Sequence, residues 1–403
     1  MPDMQVKTES ISRVFASRRF NLIAFALIAG LVLIAYSNTF SASFHFDDNP
    51  SIVENHTIKR ATGDNISAIV RGARPVVYLS LMLNYALGGL NVVGYHIFNI
   101  AVHIANSMFV YLLLLWTLQL CQTEIKSEAQ ARRMALFGAL LFGAHPIQTE
   151  SVTYIITRTE LLATFFYLGA FLLFIKGTRK NNAAWFIGAA CSSLLAMGSK
   201  EWAVTLPAMV FLYDFLFLSE GKLKPIMSRW YAYLFLMLTW GEVWHTLNLT
   251  TAGGSASVGF HISNSSGIPL NAWTYLLTSL NVIWTYFRLL FLPINQNLDY
   301  EYAVAQTLFE FPTILALFGH IIVVSAAFWL YKKKRWILLP FGLAWFYITL
   351  SPTQSFVPVM DVIFEHRIYM PSIGFFLAFV AAYERLFQWL KERKVRNAAV
   401  ASS

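Results

Sequence analysis

The stretch FHFDD, residues 44–48, sets two adjacent carboxylates, Asp47 and Asp48, and an imidazole, His45, just after a long apolar run at 20–36. An acid beside a membrane segment is most often a solvated boundary residue. Two neighbouring Asp residues between aromatics suggest more. Phe44 and Phe46 can wall a partly dry pocket, in which a carboxylate acts as a general base or holds a metal. Other boundaries carry charge as well. GSKEW brings Lys200 and Glu201, and DVIFEHRIYMPS brings Glu365, His366 and Arg367. Lys suits a phosphate as a point charge, and Arg grips one through two parallel hydrogen bonds. The plainer alternative for Lys200 is a salt bridge to Glu201 or Glu150. HPIQTESVTYIITRTELLA, 145–163, adds His145, Glu150, Arg158 and Glu160 in a short turn, where Glu150 and Arg158 can pair. FLPINQNLDYEY, 291–302, adds Asp299 and Glu301. His96, Asn99, His103 and Asn106 recur at spacings of three and four, so they share one helix face. Inside a membrane such a face turns inward, to bond neighbouring helices or to line a pocket. His96, at the outer end, is the better placed for a pocket. Asp47, Asp48 and His96 could supply part of a divalent-cation site, but the ligand set is incomplete and no metal site is claimed.

The elements that must position these residues follow from composition. The chain of 403 residues is 57% hydrophobic and only 13% charged, against about 25% charged in a soluble domain. That is too little polar surface for a soluble particle of this size, and the expected fold is an all-α polytopic membrane bundle. Spans of roughly 20 apolar residues are expected at 20–38, 96–119, 134–147, 159–176, 183–198, 203–218, 230–247, 312–331, 336–351 and 368–390. The basic residues lie between them: Arg18 and Arg19; Lys126, Arg132 and Arg133; Lys176, Arg179 and Lys180; Lys222, Lys224 and Arg229; the KKKR block at 332–335; Lys391, Arg393 and Lys394. Ten crossings put all of them on one side, as the positive-inside rule requires. The same distribution explains the net charge of +9 without nucleic acid. A further apolar stretch, 273–292, would move KKKR to the other side if it crossed, so an interfacial or re-entrant helix is expected there. The outer face then carries loops at 39–95 and 248–311, with tails at 1–19 and 391–403 on the cytoplasmic side, all in one membrane domain. Cys121 and Cys191 lack metal or disulfide spacing. Four N-x-S/T sites, at Asn55, Asn65, Asn248 and Asn264, mark polar outer loops and nothing more.

Five blocks in order, FDD, RPVVYLSLMLNYALGGLNVVGYHIFNIAVH, HPIQTESVTYIITRTELLA, SKEWAVTLPAMVFLYD and EHRIYMPSIGF, resemble the membrane half of the TMTC proteins, transmembrane O-mannosyltransferases, and their bacterial relatives. The resemblance covers roughly 40–375. It implies a GT-C-type glycosyltransferase using a sugar carried on a polyprenyl phosphate. It implies that Asp47 and Asp48 match the leading and second acids of the GT-C pair, with Asp47 the catalytic base. It implies that Lys200, Arg367 and Arg74 hold the lipid phosphate. Mannose is likewise implied by the family. TMTC proteins continue into tetratricopeptide repeats, whereas this sequence stops at Ser403, so the acceptor stays open between protein Ser/Thr and a glycan or lipid hydroxyl.

The expected activity is therefore inverting transfer to a hydroxyl on the outer face, in a bacterial inner membrane with the site toward the periplasm. Substrate contacts are expected from Arg74, His96, His103, Glu150, Arg158, Lys200, Glu201, Glu365 and Arg367. A divalent cation is compatible with this scheme. A transporter or flippase for a lipid-linked or anionic substrate, and a non-catalytic assembly protein, are the readings from other classes.

Overall fold

The computed structural model describes residues 2–121, 123–252, 262–263, 267, 269–333 and 336–401. Lys334, Arg335 and Asn264 therefore lie outside the described residues. The described chain is built almost entirely of helices. They are α1 (Pro2–Ala35), α2 (Gly63–Arg71), α3 (Pro75–Gly88), α4 (Val92–Leu120), α5 (Glu128–Ala144), α6 (Thr149–Thr153), α7 (Arg158–Lys180) and α8 (Ala183–Met197), followed by α9 (Leu206–Tyr213), α10 (Leu223–Ser228), α11 (Trp230–Leu238), α12 (Trp240–Ala252), α13 (Ala272–Phe291), α14 (Phe311–Lys332), α15 (Leu338–Leu350) and α16 (Pro371–Ala401). One two-residue antiparallel pair, β1 (Ile262–Ser263) with β2 (Pro269–Leu270), precedes α13.

Helix starts fall where a side chain can satisfy the first unpaired amides. Thr62 accepts from the Asn65 amide at α2, Asn91 from Val93 at α4 and Ser127 from Gln130 at α5. Asn271 and Thr274 form a reciprocal capping box at α13. Five segments among the described residues are long and apolar enough to cross a membrane: Val92–Leu120, Ile155–Lys180, Glu201–Leu218, Phe311–Lys332 and Pro371–Arg393. Shorter apolar helices lie at Arg19–Ala35, Pro75–Gly88, Ala183–Met197 and Leu338–Leu350. The expected span 230–247 is broken at Thr239. Its hydroxyl donates to Leu236 O at 2.6 Å and meets Ser193 Oγ at 2.8 Å, and α12 begins at the next residue. α13 is held inside the bundle. Tyr275, Tyr286 and Leu289 are buried, and Asn281 and Trp284 donate to Thr313 Oγ1 and Ala316 O of α14.

The core runs through the centre of the bundle, where Tyr167, Phe171, Tyr213, Phe341 and Trp345 meet edge-on or tilted. α15 and α16 approach so closely at Gly342 and Gly374 that a Cβ on either would collide with the other's carbonyl, the small-residue packing of membrane helices. α14 lies at the margin, with Phe318, Ile322, Phe328 and Trp329 all exposed, a surface suited to lipid.

Contacts separate the two ends. At one, Arg132 donates to Asn21 at 2.8 Å, Gln130 donates to Glu384, and Glu124 accepts the Ile337 amide. At the other lie the start of α4, the end of α5, the start of α7, the end of α8 and the start of α16. There Gln148 bonds Ser372, and the Val76 amide bonds Gly198 O. The candidate residues belong to this second end.

Candidate active site

The FHFDD loop turns sharply into a π-type turn, Asn49–Val53. Phe46 adopts a left-handed backbone, φ 42°, which is unusual for a bulky residue. The two acids diverge there. Asp48 is only 1% exposed. Its Oδ1 accepts the Ile156 amide at 2.8 Å, and its Oδ2 accepts the His45 amide at 3.2 Å. Burial pushes its carboxyl up to about 6 against these two stabilising amides. Asp47 is exposed. Its amide donates to Tyr154 Oη at 2.8 Å, while its carboxylate stays open to solvent. One acid anchors the loop and the other is presented.

His96 Nε2 bonds Ala42 O at 3.1 Å and so fixes the start of this loop. Asn99 donates to Val152 O and Ile155 O and accepts from Arg158 Nε at 2.9 Å. Arg158, fully buried, also donates to Ser80 Oγ and Tyr95 O and packs on the Phe98 ring at 4.2 Å. His103 has both ring nitrogens engaged, with Tyr369 Oη at 2.6 Å and Gly143 O at 3.0 Å. Asn106 donates to Leu161 O and Tyr369 Oη. The polar face of α4 is thus a set of bonds between helices. It fixes the frame of the site, and His103 and Arg158 lie within that frame.

The second cluster joins residues far apart in sequence. Glu150 Oε2 accepts the His366 amide at 2.9 Å, and its Oε1 shares a short hydrogen bond with His366 Nδ1. His366 Nε2 faces Glu160 Oε1 at 3.9 Å. Glu160 pairs with Lys200 Nζ at 2.6 Å and accepts from Trp202 Nε1 at 2.6 Å. Beside them, Arg74 grips Glu201 with two bonds, 2.9 and 3.1 Å, and Glu201 holds the Arg74 charge in place by raising its pKa. Glu150 does not pair with Arg158, nor Lys200 with Glu201 or Glu150, as spacing suggested. The nearest acids in sequence point elsewhere. Burial lifts the Glu150 carboxyl to about 7, and burial with the Lys200 charge holds His366 far below the usual imidazole range.

Arg367 sits in the short turn Glu365–Ile368, 8% exposed, with its guanidinium over the Phe364 ring at 5.3 Å. It bonds Tyr275, and its Nη1 is buried without a hydrogen-bond partner. Asp361, partly buried and raised in pKa chiefly by that burial, senses the charges of Arg367, Asp299 and Asp47. Glu365 faces away. It accepts from Gln296 Nε2, the Asn297 amide and Tyr300 Oη, and so binds the 291–302 segment to the bundle. Asp299 and Glu301 are exposed on that segment. Tyr154, Tyr275 and Asp361 are contributors that sequence reading did not single out; Tyr154 lay unmarked within the 145–163 block. Among the described residues no group of three or more His, Cys, Asp or Glu can hold a metal. Asp48 is committed to two main-chain amides and His96 Nε2 to Ala42 O, while His96 Nδ1 is buried without a partner.

Fold and site together define an all-α membrane-type protein with a cluster of titratable side chains at one end of its bundle. The chain is similar to TMTC-group protein O-mannosyl-transferases. It is 24% identical to human TMTC4 over 431 aligned residues, covering 93% of this chain and 57% of that protein. It is 25% identical to a Caenorhabditis elegans protein O-mannosyl-transferase, covering 92% of this chain and 52% of that one, and 30% identical to mouse TMTC2, covering 56% and 28%. The chain thus spans at most a little over half the length of these relatives. No family profile and no solved structure matches it.

Proposed function

We propose that this chain is an inverting glycosyltransferase that moves a sugar, mannose, from a polyprenyl-phosphate carrier to a protein Ser/Thr hydroxyl at the outer face of a bacterial inner membrane. The supporting observation is the contrast between Asp47 and Asp48. Asp48 spends both oxygens on backbone amides, whereas Asp47 is exposed at the same end of the bundle as the half-satisfied guanidinium of Arg367. The names of the relatives, protein O-mannosyl-transferases, support the same reaction class.

In this reading Asp47 takes the proton of the acceptor hydroxyl. The oxygen forms its bond to the anomeric carbon as the bond from that carbon to phosphate oxygen breaks. The leaving phosphate carries both electrons of that bond and needs charge stabilisation rather than a general acid. Arg367, whose Nη1 is buried without a hydrogen-bond partner, supplies it, with the Lys200 ammonium, paired to Glu160 at 2.6 Å, as the second cation. Arg74 stands at the rim, held by Glu201. One carboxylate suffices for a single displacement, which inverts the anomeric centre. The donor's apolar tail stays in lipid.

The test is transfer from polyprenyl-phosphate mannose to a Ser/Thr-rich peptide by the protein in nanodiscs. The parent transfers, and Asp47→Asn loses at least about 100-fold in rate while still binding donor. Absence of transfer from any polyprenyl-phosphate sugar overturns the reading.

A further inference from the structure

Glu150 and His366 are hydrogen-bonded twice, through Oε1 to Nδ1 and through Oε2 from the His366 amide. Both side chains are nearly buried, with 5% and 12% of their surface exposed. The geometry accommodates two proton counts. With Glu150 ionised, His366 Nδ1 carries the hydrogen and donates to it. With Glu150 protonated, the carboxyl donates to a bare Nδ1, and the ring hydrogen moves to Nε2, which faces Glu160 Oε1 at 3.9 Å. Neither state breaks the pair, so one proton can come and go without repacking.

The surroundings determine when it does. Lys200 and Arg367 face Glu150, and Lys200, Glu160, Arg367 and Arg74 face His366. Tyr154 and Tyr286 also sense the Glu150 charge. Lys200 and Arg74 are paired with Glu160 and Glu201. Arg367 forms no ion pair with a carboxylate among the described residues, and its Nη1 is free of hydrogen bonds. It belongs to the same short turn as His366.

We propose that Glu150 and His366 form a proton-holding pair that takes up one proton when a phosphate group binds beside Arg367. This rests on the phosphate reading above. A bound anion disfavours the neighbouring carboxylate, and by reciprocity a protonated Glu150 strengthens the anion's binding. The site then exchanges a carboxylate charge near Arg367 for the ligand's own.

The experiment is titration calorimetry of the protein in nanodiscs with polyprenyl-phosphate mannose, in two buffers of different protonation enthalpy at pH 7.5. This donor is a phosphodiester without a titrating oxygen near neutral pH, so any proton belongs to the protein. The parent takes up more than about half a proton per donor bound, and its Kd rises with pH by up to about tenfold per unit above neutrality. Glu150→Gln mimics the protonated acid, since its amide donates to Nδ1 and its carbonyl accepts the His366 amide. It binds with no proton uptake and a Kd flat from pH 6 to 8.5. Equal uptake in Glu150→Gln, or binding by the parent with no uptake, overturns the proposal. If the parent does not bind this donor, the polyprenyl-phosphate reading fails, and imidazole ¹⁵N spectra then judge the pair itself. A His366 tautomer change near neutral pH that Glu150→Gln removes sustains the pair, and a tautomer fixed from pH 5.5 to 8.5 overturns it.

Discussion

Asp48 Oδ1 accepts the Ile156 amide at 2.8 Å, so the loop that presents Asp47 is bolted to the segment leading into α7, the helix that carries Glu160. The loop and that helix are therefore registered by one buried carboxylate.

Removing that carboxylate leaves two part-buried amides without their acceptor, at about 1 kcal/mol each. Asp48→Ala is expected to lower the melting temperature in detergent markedly, and Asp48→Asn less so. The pH dependence has a definite sign. The folded-state pKa of about 6 exceeds the ordinary aspartate value of 3.8, so the folded state holds the extra proton between them. The stabilising contribution is present below about pH 4 and is lost as pH rises toward 6, roughly 3 kcal/mol over that window. Thermal melts from pH 4 to 7 should show this slope in the parent and a flatter one in Asp48→Asn.

Glu160 and Lys200 form a buried pair at 2.6 Å, with 1% and 13% of their side chains exposed. Lys200→Met leaves Glu160 charged and uncompensated, and is expected to destabilise by about 3–5 kcal/mol. Glu160→Gln on the same background keeps the acceptor for Trp202 and should recover most of that loss. A double-mutant cycle by chemical denaturation checks it. A double variant as unstable as Lys200→Met would show that the pair contributes through packing alone.

Arg367→Lys keeps the charge and loses the planar fork. Donor Kd should rise about 10- to 100-fold, the value of one or two charge-assisted hydrogen bonds, with little change in melting temperature. Donor titration of the two proteins measures it, and unchanged affinity would remove Arg367 from the phosphate site.

Glu365 gathers Gln296, Asn297 and Tyr300 on one carboxylate. Glu365→Ala should free the 291–302 segment, seen as faster proteolytic nicking there, whereas Tyr300→Phe, losing one bond, should stay close to the parent. Equal protection in Glu365→Ala would show that packing alone holds the segment.

Much of the fold was legible in sequence because apolar length is a local property. Five of the ten expected spans fall on segments long and apolar enough to cross a membrane and three on shorter apolar helices, while 230–247 broke at a Thr whose hydroxyl competes for a helix carbonyl. The site was legible only as a list of charged boundaries. Spacing favoured Glu150 with Arg158, but Arg158 turned into the frame to Asn99, Ser80 and Tyr95, and Glu150 reached His366 instead. Helical periodicity put His96, Asn99, His103 and Asn106 on one face. It had no means of telling a pocket lining from a seam between helices, because that depends on which helix lies opposite.

The sequence by itself determined that the chain is a membrane-type helical bundle, and that its acids and cations collect at helix ends. Hydrophobic transfer over some 20 residues and the cost of burying charge act on each segment separately. Tertiary structure alone decided the partners. Asp47 and Asp48 are chemically identical neighbours, and only the approach of the Ile156 amide makes one an anchor and leaves the other exposed. Arg74, Lys200 and Arg367 are all cations at boundaries. Only the arrival of Glu201 and Glu160 from other segments compensates the first two and leaves the third with a free hydrogen-bond donor. Such pairings are set by distances across the bundle, which no local pattern encodes.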